Sequence, residues 1–504
     1  MKLPVELGLP FPSWRKGQQL AIRTALSAKT PFVAIPAPTG SGKSTIAAAL
    51  MKLDPRRTVV LTGTKQLQSQ YARTFPWMFD IRGMGNYECL AARDEFKLLL
   101  FNGRNQKVMC DEGPCRADVA CSLKDAGCLY FDRYRQALGS PAVLTSYAYW
   151  LSIRRFGKGL GIANRLICDE AHAIPEFLSQ AWRIEVPARH LKQAPRTVQG
   201  WREWAAAQLE ALKPTTASNT QRVRARRDQE RYQSIYNYLD AGWVWEKSGD
   251  SWVFEPIQIA PLASLLWDKL QQVVFLSATL TPAMFQFLGI TADQVTTQAL
   301  KSQFPLDRRP VYVLKAEAGG VRMDSKSVKH EGTLDRWLET MDTIIDGRTD
   351  RHGIIHTVSY ARARWIMDHS RHHARMTDDL RVYLAAPADA GCVLVSPVVT
   401  TGVDFPYRAC EYQIISKVPF PDTRSRIVKA RIDAIPHYRE AMTMQTIVQS
   451  AGRGMRADDD QCETFIIDTH ATWFLHRAAD FAPRDFLDAI TFERRIPAPP
   501  KRLQ

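Results

Sequence analysis

The chain has no apolar run approaching the roughly 18 residues that cross a bilayer, which excludes a helical membrane span. Its opening stretch, Met1 to Trp14, holds Glu6 and three prolines and no apolar segment, so a secretory leader is not expected and a cytoplasmic location is. Internal repeats and long low-complexity segments are lacking, which excludes solenoid and disordered classes. Acids are in short supply, 52 Asp and Glu against 67 Lys and Arg, giving a net charge of +15. That excess favours a polyanionic partner, because phosphate contacts by cations release counterions, and it also serves solubility alone. Cysteine is sparse outside one cluster. Of nine, five fall between Cys89 and Cys128, a pattern that in a cytosolic chain points to metal rather than disulfides.

What is present is α/β rhythm. The 504 residues exceed one hydrophobic core, so two to four domains are expected. Short apolar stretches at 32–35, 58–61, 165–168 and 273–276 predict buried parallel strands, with a helix over 44–53. A second series lies near 311–314, 353–356, 393–396, 412–416 and 464–467. Residues 79–140 break the rhythm and carry the cysteines. Residues 185–254 break it again, being polar, tryptophan-bearing and rich in arginine (Arg222, Arg224, Arg226, Arg227, Arg231), and predict a helical insertion. Those arginines suit either DNA contact or a solvated helix face.

Ala37-Pro38-Thr39-Gly40-Ser41-Gly42-Lys43-Ser44 stands between a predicted strand and helix, the context a phosphate loop requires. Glycines let the backbone wrap phosphates, Lys43 reaches the β- and γ-phosphates, and Ser44 ligates Mg²⁺. Ala37 replaces the motif's usual first glycine. Asp169-Glu170-Ala171-His172 follows a strand, which places Asp169 to hold Mg²⁺, Glu170 as general base on the attacking water, and His172 as γ-phosphate sensor. Gln449, Arg453 and Arg456 are spaced i, i+4, i+7 on one helical face, so two guanidiniums can reach a γ-phosphate across a cleft.

In this order the motifs resemble those of superfamily 2 helicases, specifically the DinG/XPD-type iron–sulfur helicases. Arg15-Lys16-Gly17-Gln18 is similar to the family's adenine-recognising element, Leu61-Thr62-Gly63-Thr64-Lys65-Gln66 to motif Ia, and Asp169-Glu170-Ala171-His172 to a DEAH box. Ser277-Ala278-Thr279 is similar to motif III, His356-Thr357-Val358-Ser359 to motif IV, Thr400-Thr401-Gly402-Val403-Asp404 to motif V, and 449–456 to motif VI. Motif V departs from the pattern in having Thr401 where an acid is usual. The resemblance spans about Arg15 to Asp468, and the cysteine insertion between motifs Ia and II separates this family from RNA helicases with a DEAH box.

The resemblance implies an α/β fold of two RecA-like parallel-sheet domains in tandem, the first with an iron–sulfur cluster insertion and a helical arch insertion. Its boundaries fall at 1–78, 141–184 and 255–295 for the first helicase domain, 79–140 for the cluster domain, 185–254 for the arch, and 296–504 for the second helicase domain. ATP would be bound by Gln18, Thr39, Gly40, Ser41, Gly42, Lys43, Ser44 and Thr45, with Gly402 and Asp404 from the second domain. A [4Fe–4S] cluster would be held by Cys89, Cys115, Cys121 and Cys128, with Cys110 the fifth thiol; Cys168, Cys392, Cys410 and Cys462 are expected as small apolar residues in or near strands. The implied activity is ATP-dependent 5′→3′ DNA helicase action by a monomer on single-stranded DNA and on forked or 5′-tailed duplexes. A translocase that does not part strands, an RNA helicase and an ATP-gated scaffold are the alternatives. Thr62, Thr64 and Gln66 suit phosphate contact, and Tyr147, Tyr149 and Trp150 suit either base stacking or core. The short amino-terminal stretch leaves no room for the nuclease domain of longer members, and the compact length is similar to that of phage members.

Overall fold

The computed structural model describes residues 1–38, 40–92, 107–117, 119–212, 219–397, 405, 407–455 and 460–502. Thr39, Gly402, Asp404 and Arg456 lie outside them, as do Thr400 and Thr401. Among the described residues no helix is long and apolar enough to cross a membrane.

Strands form where β-branched and apolar residues run together between turns. In the first lobe they are β1 (Phe32–Pro36), β2 (Thr58–Thr62), β3 (Phe79–Asp80), β4 (Ala142–Ser146) and β5 (Arg165–Asp169). An insertion carries β6 (Ile184–Pro187), β7 (Trp243–Ser248) and β8 (Ser251–Pro256), after which β9 (Gln272–Ser277) and β10 (Val295–Thr297) complete the lobe. The first sheet is parallel, in the order β10-β1-β9-β5-β2-β4-β3. Side chains alternate between its faces. Phe32, Ala34, Leu166 and Cys168 join one buried cluster, while Val33, Ile35 and Ile167 join the other. Burial on both faces explains why these stretches read as continuous apolar runs.

Register sets the site. Pro36 lies opposite Ser277, and Asp169 opposite Leu276, so β1, β9 and β5 finish at one level. The loops that leave them share one edge, where open parallel sheets bind ligands.

The second lobe comprises β11 (Val311–Leu314), β12 (Gly353–His356), β13 (Met376–Thr377), β14 (Val393–Ser396), β15 (Tyr412–Ile415), β16 (Glu463–Ile466) and β17 (Ile490–Glu493). They form a parallel sheet in the order β13-β14-β12-β15-β16-β11-β17.

The first sheet is interrupted twice. The chain leaves at β3 and returns in the neighbouring β4 after passing the five cysteines. It leaves again after β5 and returns in the neighbouring β9. This second excursion corrects the expectation of a helical insertion. Helices Val198–Ala211 and Asn219–Tyr238 pack with an antiparallel sheet of order β6-β8-β7 around Trp201, Tyr232 and Phe254. Aromatic and β-branched residues (Trp243, Val244, Trp245, Trp252, Val253, Phe254) favour strands, a local signal that the arginine-rich stretch obscures in composition. Among the described residues, arginines of this excursion that meet acids include Arg226 with Glu230 at 3.4 Å, Arg231 with Asp228 at 2.6 Å, and Arg227 with Asp111 at 3.8 Å.

A polar seam fastens the second lobe to this insertion. On the helix Arg426–Ala434, Arg431 donates to Ser179 Oγ (2.6 Å), Glu255 Oε2 (3.3 Å) and the Pro256 carbonyl (3.0 Å). At the same helix's start, Ser425 Oγ and the Arg426 backbone N–H both donate to the Glu246 carboxylate, at 2.9 and 2.8 Å.

Candidate nucleotide site between two lobes

The loop after β1 turns into the helix Lys43–Leu53 through Gly42, whose φ of 76° favours glycine. The helix Gln18–Ser27 braces this loop from behind. Gln18 Nε2 donates to the carbonyls of Ser41 (2.9 Å) and Gly42 (3.3 Å), and its Oε1 accepts from the Arg15 backbone N–H at 2.9 Å. The Arg15 guanidinium donates to the Gly40 carbonyl. Gln18 is buried, so its amide serves the loop itself. Ser44 is half-buried and Thr45 buried on the first turn.

β5 delivers Asp169, which is buried. Tyr71 Oη donates to Asp169 Oδ2 at 2.6 Å, Tyr147 Oη to its carbonyl at 2.9 Å, and its Oδ1 accepts from the Glu170 backbone N–H at 2.9 Å. Burial raises the Asp169 pKa, the neighbouring Glu170 charge adds to that, and Lys43 opposes it. Glu170 sits in the left-handed region at φ 51°, a conformation uncommon outside glycine and clustered at functional sites. That turn aims its carboxylate at two partners, Lys43 Nζ at 3.8 Å and His172 Nδ1 at 3.3 Å. His172 Nδ1 also lies 2.6 Å from Ser277 Oγ at the end of β9. Burial lowers the His172 pKa, keeping the ring neutral.

In the second lobe Arg453 is buried. Its charge depresses the pKa of His172 in the first lobe and of His356 at the end of β12. His356 Nε2 pairs with Gln413 Oε1 at 3.0 Å, and Gln413 Nε2 donates to the Ala451 carbonyl at 2.7 Å, fixing the end of the helix Tyr438–Ala451 that carries Gln449. Buried polar atoms without a hydrogen-bond partner among the described residues include Ser41 Oγ, Thr279 Oγ1, His356 Nδ1 and Gln449 Nε2. Such orphans are rare in folded proteins. The Ser41 and Thr279 hydroxyls and the Gln449 amide are donors, set in the loop after β1, just past β9 and on the helix before Arg453, where a triphosphate would supply acceptors; His356, whose Nε2–H faces Gln413 Oε1, keeps Nδ1 as an acceptor.

Lys43, Asp169, Glu170 and His172 are therefore brought together, and the charge of Arg453 from the other lobe is felt at His172. Tyr71 and the His172–Ser277 bond were missed as site features in the sequence; a tyrosine about a hundred residues from its partner carries no local signal. Thr62 is corrected as a phosphate contact. It is fully buried with its hydroxyl turned to the Thr145 carbonyl at 3.4 Å, whereas Thr64, Lys65 and Gln66 are exposed. Tyr147, Tyr149 and Trp150 resolve as core, all buried.

In the first excursion, Glu88 and Met109 form an antiparallel bridge that sets Cys89 opposite Val108 and Cys110 opposite Tyr87, the two thiols on one face. A Cβ on Gly113 would lie 2.7 Å from Cys89 Sγ, so the chain folds back against that thiol. Burial, then Cys121 and Cys128, raise the Cys89 pKa. Burial, then Cys128, Cys89 and Cys115, raise that of Cys110. Burial, then Cys121, Cys89 and Cys128, push Cys115 up to about 11. The five thiols thus share one neighbourhood. Among the described residues no three His, Cys, Asp or Glu side chains form a group that could hold a metal ion. All nine cysteines are free; Cys168, Cys410 and Cys462 are buried in the cores and Cys392 is half-buried.

None of the curated proteins matches the chain in sequence. Residues 355–476 match the family described as helicase C-terminal domain. Among solved structures, one titled XPD helicase superposes with a TM-score of 0.63 at 15% identity, covering 96% of this chain and all of that one. An XPD structure titled as the apo form gives 0.59 at 13%, covering 95% and 100%. Xpd4 of S. tokodaii gives 0.57 at 12%, again covering 95% and 100%. The chain thus has the two-lobed fold of the XPD helicases, with a helicase C-terminal domain match in its second lobe.

Proposed function

We propose that this chain is an ATP-driven motor of the DinG/XPD type that moves 5′→3′ along single-stranded DNA and parts duplexes ahead of it. The observation that carries the reading is the grouping of Lys43, Asp169, Glu170 and His172, with His172 feeling the charge of Arg453 from the second lobe. Lys43 binds the β- and γ-phosphates, and Glu170 takes the proton of the attacking water. Arg453 stabilises charge that develops on the γ-phosphate, and its grip is lost with that phosphate, so the lobes close on ATP and part after hydrolysis. The oxygens of Ser44 and Asp169 suit Mg²⁺, and a carboxylate destabilised by burial and by Glu170 gains most from a cation. The ion would neutralise phosphate charge when bound.

Thiolates are the ligands that iron–sulfur clusters take, and the cluster rests on the resemblance of the cysteine run, since among the described residues no three of these side chains form a metal-holding group. Cys89, Cys115, Cys121 and Cys128 are the proposed ligands of a [4Fe–4S] cluster, with Cys110 the fifth thiol of the run. A bound cluster would brace this excursion as a rigid wedge. Polarity and the preference for DNA rest on the resemblance of the motifs.

The test is ATP turnover with no nucleic acid, with single-stranded DNA and with single-stranded RNA, followed by unwinding of 5′-tailed, 3′-tailed and forked duplexes. DNA stimulation and unwinding from 5′ tails are expected. No turnover on unpaired DNA sinks the reading; stimulation by RNA alone reassigns the substrate, and stimulation without unwinding leaves a translocase. Glu170→Gln is expected to abolish turnover and keep ATP binding. Anaerobic purification with iron analysis and visible absorption tests the cluster.

A further inference from the structure

We propose that the carboxyl edge of the second sheet carries a base-stacking subsite for single-stranded nucleic acid, built from Phe420, Arg439, Trp473 and Arg477. The inference rests on the motor reading and extends it to a specific contact. β12, β15 and β16 are neighbours in the sheet, so the segments following them emerge side by side, about 4.8 Å apart per strand. Each delivers an aromatic side chain: Tyr360 after β12, Phe420 after β15 and Trp473 after β16. Tyr360 is 69% exposed and Trp473 54%, an unusual cost for two large rings along one edge.

A cavity of about 240 Å³ opens there, lined by Phe420, Arg439, Glu440, Trp473, Phe474 and Arg477. Its chemistry is cation over ring. The Arg439 guanidinium lies 5.1 Å from the Phe420 ring centre, and that of Arg477 lies 5.6 Å from the Trp473 ring centre. Glu440 holds Arg477 by an ion pair of 3.5 Å. Phe420 packs edge-on against the buried Phe474, with centroids 5.5 Å apart, so the wall is anchored in the core. A nucleobase offers a π-face to the exposed indole, and phosphate would compete with Glu440 for Arg477 while Arg439 lies over the neighbouring ring. Every base has such a face, so the contact tolerates any sequence, as a translocating strand requires.

The test measures binding of labelled oligo-dT, and of an abasic strand of equal length, by fluorescence anisotropy at one salt concentration. The full chain is compared with Trp473→Ala, Trp473→Phe and Arg477→Gln. Wild type should prefer oligo-dT over the abasic strand. Trp473→Ala should bind oligo-dT roughly 5- to 150-fold more weakly and lose most of that preference, while Trp473→Phe keeps part of it. Arg477→Gln should weaken both strands. If wild type binds oligo-dT and Trp473→Ala binds it equally well, the subsite is overturned and the motor stands. If wild type binds neither strand, the motor reading itself fails.

Discussion

His172 Nδ1 lies 2.6 Å from the Ser277 hydroxyl, joining the loop after β5 to the end of β9. His172 also contacts Glu170 and feels the charge of Arg453. It therefore joins the Glu170 carboxylate to the end of the adjacent strand, within reach of the second lobe's charge. Replacing Ser277 by Ala removes the bond its Oγ accepts from the Thr279 backbone N–H at 3.3 Å and the bond with His172, the latter worth about 0.5–1.5 kcal/mol. If that bond orients the ring during turnover, DNA-stimulated ATP hydrolysis falls roughly 2- to 12-fold, with a smaller change in nucleotide affinity. Equal rates for Ser277→Ala and wild type would show that the bond is structural only.

Gly42 offers a sharper test of the loop. A Cβ there would lie 2.4 Å from Gln18 Nε2, and its φ is 76°. Gly8 has a nearly equal φ of 72° but open space around it. Each alanine costs about 1–2 kcal/mol for left-handed backbone. Only Gly42→Ala also displaces the Gln18 amide from Ser41 and Gly42. Binding of a non-hydrolysable ATP analogue should be lost in Gly42→Ala and kept in Gly8→Ala; loss in both would implicate general strain instead.

The sequence made the sheets legible because strands buried on both faces read as unbroken apolar stretches. The turns after β1 and β5 were legible because glycines, and carboxylates next to apolar stretches, mark strand ends in the sequence. What stayed hidden depends on contacts distant in sequence. Tyr71 meets Asp169 across 98 residues, Gln18 clasps a loop 23 residues away, and Arg431 crosses 252 residues to Ser179. Thr62 misled because a polar residue at a strand end is as well satisfied by a neighbouring carbonyl as by a ligand. The short β3 and β13 offer two residues each, too few for any periodicity.

Arg431 holds the seam between the lobes, contacting Ser179, Glu255 and Pro256 while almost wholly buried. Arg431→Ala leaves Glu255 with Ser179 at 2.8 Å and Arg183 at 3.6 Å. The loss is therefore smaller than for an abandoned buried charge, about 1–3 kcal/mol. Urea unfolding of Arg431→Ala, Glu255→Gln and the double variant should give a coupling energy of about 1–2 kcal/mol. Additive effects would mean that the ion pair contributes nothing and that Ser179 and the Pro256 carbonyl carry the contact.

His356 provides a pH signature. Burial holds its pKa down to about 4 from an ordinary 6.5, the Gln413 bond opposes that shift, and the charge of Arg453 reinforces it. Above pH 6.5 the ring is neutral in folded and unfolded chains, and its contribution is constant. As pH falls below 6.5 the unfolded chain takes up a proton that the folded chain refuses, so stability drops until about pH 4 and then levels. The full shift corresponds to about 3 kcal/mol, of which most is lost by pH 4.5. A His356→Gln variant keeps an amide to face Gln413 and has no proton to gain. Between pH 7 and pH 4.5, wild type should lose about 2–3 kcal/mol more stability in urea than the variant, with other groups cancelling in the comparison. Parallel losses in the two proteins would mean that His356 can be protonated in place, and that Arg453 lies too far from it to matter.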